Sequence, residues 1–161
     1  MTFDIRPTPP DHPQVLALIA ELDAYLQSVY APDENHILDL SGLLHPAVTF
    51  LAAWDGDTVV GCGAVRAMPG EPETEGAPYG EIKRMFVAPA RRGARLGHRI
   101  LEALETVAHG QGLDRALLET GEELASAARM YRQAGYVERG PFGGYPDNGV
   151  SLFLEKRWNT D

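Results

Sequence analysis

Thiol chemistry has little to work with in this chain: one cysteine, Cys62, stands among 161 residues. Intrachain disulfides are impossible, and metal sites of the cysteine-cluster type are not expected. Cys62 lies in the apolar run "VVGCGAV" without a basic neighbour to activate it, so it reads as a buried packing thiol. The five histidines show no paired ligand spacing, and no metal is expected. Basic residues are outnumbered, 14 against 23 acidic, for a formal net charge of −9. That balance argues against nucleic-acid binding, which depends on arrays of Lys and Arg against phosphates. No apolar run approaches the length of a membrane span, and "MTFDIRPTPP" lacks the basic start and apolar middle of a secretory signal. The expectation is a cytoplasmic protein with no membrane partner. Also missing are GxxxxGK[ST], a GxGxxG after the first strand, a GxSxG elbow and a Ser-His-Asp order, which excludes P-loop, Rossmann and serine-hydrolase readings.

What is present is enough apolar sequence, 44% of residues, for one domain spanning 1–161. "FDIRP" alternates as a first strand. Asp11 offers an N-cap and Pro13 a first turn for a helix over 12–29, whose stripe is Val15, Leu18, Ile19, Leu22, Leu26 and Val29. A short helix is expected near 35–41. "VTFLAAW" and "TVVGCGAVRAM" form a hairpin across "DGD", and "PGEPETEGAPYG" reads as a solvated, mobile loop. "EIKRMFV" is a strand over 81–87, which Pro89 stops. A helix from about 96 to 110, a strand "RALLET", a helix over 122–134 and the strands "YVERGPF" and "VSLFLEK" complete the order. Early antiparallel hairpins around a central strand-helix-strand crossover predict an α/β (α+β) fold: a single mixed sheet of six to seven strands with helices on both faces.

The stretch "RRGARLGHRI" places four arginines, Arg91, Arg92, Arg95 and Arg99, at the start of an apolar helix in an acidic chain. Unpaired N–H groups and the helix dipole at that end favour an anion, and four cations there are unfavourable unless one is bound. The alternative is a solvated helix start whose arginines pair with Glu102 or Glu105 one turn on.

Residues 92–97, "RGARLG", resemble the acyl-coenzyme A loop of the GNAT acetyltransferase superfamily, Q/R-x-x-G-x-G/A. Arg92 fills the first position and Gly97 the last, while Arg95 stands where the middle glycine is usual. "FLAAWDGDTVVGCGAV", "GEIKRMFV", "LLETG", "MYRQAGY" and "PFGGYPDNGVSLFLEK" are similar to successive pieces of a bacterial small-molecule branch, so the resemblance covers about 47–157. It implies a GNAT fold and an acetyl-CoA-dependent N-acetyltransferase, with no metal, a small-molecule amine as acceptor, direct transfer in a ternary complex, and a possible homodimer.

By the same resemblance, Met85, Phe86 and Val87 lie along the pantetheine arm, and Arg92, Gly93, Ala94, Arg95, Leu96, Gly97 and His98 hold the phosphates. Glu81 matches a position used as general base, and its other reading is a strand-end surface glutamate paired with Lys83 or an arginine. Tyr131 matches the tyrosine that assists the leaving thiolate. It shares a stripe with Leu124, Ala127 and Ala128, so its other reading is a core tyrosine. Alternation puts Glu81, Lys83, Met85 and Val87 on one strand face, and Ile82, Arg84 and Phe86 on the other. Leu124 replaces the usual cofactor-contacting Asn or Gln. Tyr30, His36, His45 and Tyr145 are the polar candidates around the acceptor. Two rival functions stay open, a non-catalytic acyl-CoA sensor and a protein N-acetyltransferase.

Overall fold

The computed structural model describes residues 2–30, 38–121 and 124–158. Its strands are β1 (Asp4–Pro7), β2 (Val48–Asp55), β3 (Thr58–Met68), β4 (Tyr79–Val87), β5 (Arg115–Gly121), β6 (Val137–Arg139) and β7 (Ser151–Arg157). The helices are α1 (Pro13–Val29), α2 (Leu40–Leu43), α3 (Leu96–Gly110) and α4 (Ala125–Gln133). The strands make one seven-stranded sheet in the order β1-β2-β3-β4-β5-β7-β6, antiparallel except for the pair β4–β5. This is the mixed sheet the element order predicts.

Helices cover both faces. The α3 stripe of Leu96, Ile100, Leu101, Leu104 and Ala108 packs with Leu51, Val65, Ile82 and Leu118, and α4 adds Ala128 and Tyr131. On the opposite face Val15, Leu18, Ile19 and Leu22 of α1 meet Phe50, Ala52, Cys62, Ala64 and Phe86. The same face continues past β4 as a cluster of Tyr79, Leu117, Phe142 and Phe153. Among the described residues no helix is long and apolar enough to cross a membrane.

Several local expectations are revised. The α1 N-cap is His12, not Asp11: its Nδ1 accepts from the Gln14 N–H at 3.2 Å. Gln14 in turn ties the helix to the β2–β3 turn, donating to the Asp57 carbonyl and accepting from the Val59 N–H, each at 2.8 Å. The helix expected near 35–41 is α2, capped by Asp39, and residues 35–37 of that expectation lie outside the described residues. The loop after β3 is not simply solvated. Thr74 in its 3₁₀ turn is 2% exposed, and Glu71 accepts from the Gly143 N–H and, at 3.3 Å, from the Tyr79 hydroxyl. β6 is shorter than "YVERGPF" because the chain turns away after Arg139.

The alternation expected along β4 also fails, for a reason that shapes the molecule. Cys62 pairs with Phe86 but Ala64 pairs with Lys83, so Gly63 alone opposes both Arg84 and Met85. This is a β-bulge, and Arg84 occupies the left-handed region at φ 58°. The extra residue flips the phase: Glu81, Lys83 and Phe86 share the α1 face, whereas Ile82, Met85 and Val87 share the α3 face. Arg84 is fixed from outside the sheet by an ion pair with Asp23 of α1 and a 2.9 Å bond to the Leu38 carbonyl. Only Gly80↔Ala116 and Glu81↔Leu117 pair between β4 and β5, and beyond them the two parallel strands diverge. A strand's twist increases at a bulge, so the bend at Arg84 carries β4 away from β5.

The Arg84 side chain is only 5% exposed and that of Asp23 is 32% exposed. Asp23→Ala leaves a buried guanidinium without its carboxylate. The cost should be about 2 kcal/mol, below that of a fully buried pair because Asp23 still meets water. Thermal denaturation should show a drop of roughly 4–8 °C. A shift within about 1 °C would mean that the bulge does not depend on this pair.

Candidate active site

The divergence of β4 from β5 opens the sheet on the side of α4. A cleft of about 640 Å³ enters there, with Met85, Phe86 and Val87 on one wall and Leu124, Met130 and Tyr131 on the other. Arg92, Gly93, Arg95, Leu96, Gly97 and His98 form its outer end. Ala94, expected in the same set, is exposed and does not line the cleft.

The loop at the outer end has the geometry its sequence implies, reached by an unusual residue. Arg95 is the N-cap of α3 at φ 57°, ψ 24°, the left-handed conformation that glycine adopts without steric cost, and its side chain makes no cap bond. The first N–H groups of α3 therefore have no side-chain cap. One turn in, His98 Nε2 is buried without a hydrogen-bond partner among the described residues. A helix start, an orphaned imidazole nitrogen and two arginines on the wall of one cleft suit a phosphate-bearing ligand. Gly97 lets α4 approach, since a Cβ there would meet the Met130 sulfur at 2.8 Å.

The four arginines do not act together. Arg91 pairs with Asp55, and Arg99 donates to the Phe3 carbonyl at 3.1 Å. Arg92 and Arg95 remain on the cleft wall, and Arg92 is held by a 3.1 Å bond from Nε to the Val87 carbonyl and by the Phe86 ring. The expected alternative, pairing with Glu102 or Glu105, is not found among the described residues either. Glu105 instead accepts from Lys156 and from the Tyr136 hydroxyl, each at 2.9 Å.

At its inner end the cleft shares Met85, Leu124, Ala127 and Tyr131 with a second cavity of about 140 Å³. Tyr131 is 6% exposed, and its hydroxyl has no hydrogen-bond partner among the described residues. Burial pushes its pKa above the usual tyrosine range, so the phenol keeps its proton at neutral pH. Lys83, Arg84, Glu119 and Ser151 supply polar groups to the small cavity. At Gly121 in its wall a Cβ would fall 1.4 Å from the Tyr30 hydroxyl oxygen, so a larger residue there would have to displace the Tyr30 side chain.

Glu81 is paired with Lys83, as one of its two readings expected, but not at the surface. It is 4% exposed, hence not a surface residue, and it lines neither cavity. Its Oε2 accepts from the Tyr145 hydroxyl at 2.5 Å and lies 3.5 Å from Lys83 Nζ. Lys83 also donates to the Tyr145 oxygen at 2.6 Å. Burial, then the nearby Glu81 carboxylate, push the Tyr145 pKa up, so it too stays protonated. Of the other acceptor candidates, Tyr30 lines the small cavity, His45 turns its Nδ1 to the Ala47 N–H at 3.0 Å, and His36 lies outside the described residues. Cys62 is fully buried, and desolvation pushes its thiol up to about 12, which fits a packing role.

Residues 15–136 match the family model described as the acetyltransferase (GNAT) family. The chain belongs to that family. It is an acyltransferase of the GNAT fold, as the resemblance implied. It is 48% identical over 142 residues to an IAA acetyltransferase of Azospirillum brasilense, covering 88% of this chain and 89% of that protein. A crystal structure of a Klebsiella pneumoniae protein, described as an acyl-CoA N-acyltransferase, superimposes with a TM-score of 0.81 at 33% identity, covering 98% and 99% of the two chains. The PaiA N-acetyltransferase of Thermoplasma acidophilum, solved in complex with coenzyme A, shares the fold at a TM-score of 0.72 and 13% identity, over 98% of this chain and all of that one.

The sequence did not single out Glu119 or Ser151. Glu119 sat in a strand read as buried, "RALLET", yet it lies near the carboxyl end of a parallel strand, where open sheets place ligands. Arg95 offers a direct test of the loop. Because glycine relieves the left-handed φ and alanine does not, Arg95→Gly should be more stable than Arg95→Ala by about 1 kcal/mol. Thermal denaturation of the two variants measures this, and equal midpoints would show that the loop relaxes out of that conformation.

Proposed function

We propose that this protein is an acetyl-CoA-dependent N-acetyltransferase whose acceptor is the amine of a small molecule. The observation that carries the reading is the meeting of the two cavities at Met85 and Tyr131. One is long and ends at a phosphate-suited loop, and the other is small and bears polar groups. Support for the donor comes from the fit of Arg92, Arg95, the α3 start and the orphaned His98 nitrogen to its phosphates, and from the coenzyme A complex of a protein sharing the fold.

Acetyl-CoA supplies an activated acyl group. In this reading Met85, Phe86 and Val87, on a strand edge that β5 no longer accompanies, hold the donor arm by main-chain bonds. A β4 N–H polarises the carbonyl under attack. Arg92, Gly93, Arg95, Leu96, Gly97 and His98 hold the phosphates, with Ala94 contributing only to the turn. Tyr131, protonated and facing both cavities, gives a hydrogen bond to the departing sulfur. Glu81 acts one layer back, fixing Lys83 and Tyr145, rather than by contact with the amine.

The rival readings fare less well. A protein acceptor fits poorly with an inner cavity of about 140 Å³. A sensor that has lost turnover was suggested by the departures at Arg95 and Leu124, but Arg95 keeps the backbone shape glycine would give, and Leu124 lines both cavities.

The test is transfer from acetyl-CoA to a panel of small primary amines, with Tyr131→Phe beside the wild type. Turnover should fall about 100-fold in the variant, with acetyl-CoA affinity by calorimetry changed less than about two-fold. Full activity in the variant would reduce Tyr131 to packing. Acetyl-CoA binding without transfer to any amine would favour the sensor.

A further inference from the structure

We infer that Glu119 receives the acceptor's amine as an ammonium ion, and that the acceptor is a small amine with an apolar body and no carboxylate. The inference rests on the proposed transferase reading and names the substrate class of its inner cavity.

The argument begins with which carboxylate reaches the cavity. Glu119 lies on β5 beyond the last residue paired to β4, on the face it shares with Leu117, and it is half-buried in the cavity wall. Ser151 of β7 donates to its Oε2 at 2.8 Å, which fixes the carboxylate's orientation. Glu81 is deeper and is engaged by Tyr145 and Lys83. Both carboxylates raise the Tyr145 pKa, in keeping with their position on one face of the sheet. A carboxylate in a half-buried wall binds an ammonium by a charge-assisted hydrogen bond, which is stronger than a neutral one.

The cations of the same wall argue against an acidic acceptor. Lys83 has Glu81 at 3.5 Å, and Arg84 has Asp23 and the Leu38 carbonyl. A substrate carboxylate would have to compete with these internal partners. Among the described residues the rest of the wall is largely apolar, including Leu22, Leu26, Leu38, Ile82 and Val150, with Tyr30 and Tyr131. Its volume, about 140 Å³, is close to the ~150 Å³ of an engineered cavity that holds benzene. The acceptor body is therefore about the size of one six-membered ring.

The probes are benzylamine, an ammonium at neutral pH, and benzyl alcohol, its neutral counterpart, each titrated into the coenzyme A-loaded protein. The wild type should bind benzylammonium at least ten-fold tighter than benzyl alcohol. Glu119→Gln should abolish that preference and Glu119→Asp should retain part of it, with coenzyme A affinity unchanged in both as the check that the fold is intact. A Glu119→Gln protein that keeps the preference, or a wild type that binds coenzyme A but does not prefer the ammonium, overturns the inference and leaves the transferase reading standing. A wild type that binds no coenzyme A overturns both.

Discussion

One extra residue in β4 organises this molecule. Where Gly63 faces both Arg84 and Met85, the strand takes on a bulge, and the ion pair from Arg84 to Asp23 ties that bulge to α1. Two consequences follow from the same distortion. The phase of β4 reverses, so Glu81 and Lys83 look toward one layer of the protein and Met85 and Val87 toward the other. The strand also leaves β5 after only two pairs of register partners, and the gap becomes the entrance to both cavities. A regular β4 would have continued its ladder with β5 and closed the sheet over the place where the donor is proposed to lie.

The elements around this gap divide the work by their chemistry. β4 offers main chain, α3 offers its N-terminus with Arg92, Arg95 and His98, and α4 offers Tyr131 at the junction. Charge is handled locally. Arg91, Arg99, Lys156 and Arg139 are each bound to partners outside the cavities, leaving Arg92 and Arg95 at the outer end of the cleft. Lys83 in the wall of the inner cavity and, behind it, Glu81 and Tyr145 form a compact hydrogen-bonded group in which each member fixes the others. The loop carrying Tyr145 is itself held by Glu71, which accepts from Gly143.

Most of the fold was legible in the sequence because it is written in periodicity. The α1 and α3 stripes, the β2–β3 hairpin and the crossover from β4 through α3 to β5 follow from apolar spacing and turn residues. The helix start at Leu96 and the loop before it were legible as well, since arginines and glycines at a helix N-terminus point to an anion. A bulge has no comparable signature: Arg84 carries no hint of a positive φ, and strict alternation misassigned Met85, Phe86 and Val87 relative to Glu81 and Lys83. Side-chain partnerships across long separations were equally hidden. Nothing near Glu81 in sequence announces Tyr145, 64 residues on, and nothing near Arg91 announces Asp55. Glu119 was overlooked because a glutamate in a buried strand becomes informative only once the neighbouring strand is known to diverge.

The most direct measurement of the central claim is backbone hydrogen exchange, read by mass spectrometry with and without saturating acetyl-CoA. If the edge of β4 past the bulge and the loop before α3 form the donor site, segments covering 83–98 should exchange more slowly on binding, by roughly ten-fold or more. The β1–β2 edge should not change. Saturating acetyl-CoA with no protection in 83–98, or with protection confined to another part of the sheet, would contradict the assignment of the β4–β5 gap as the donor site.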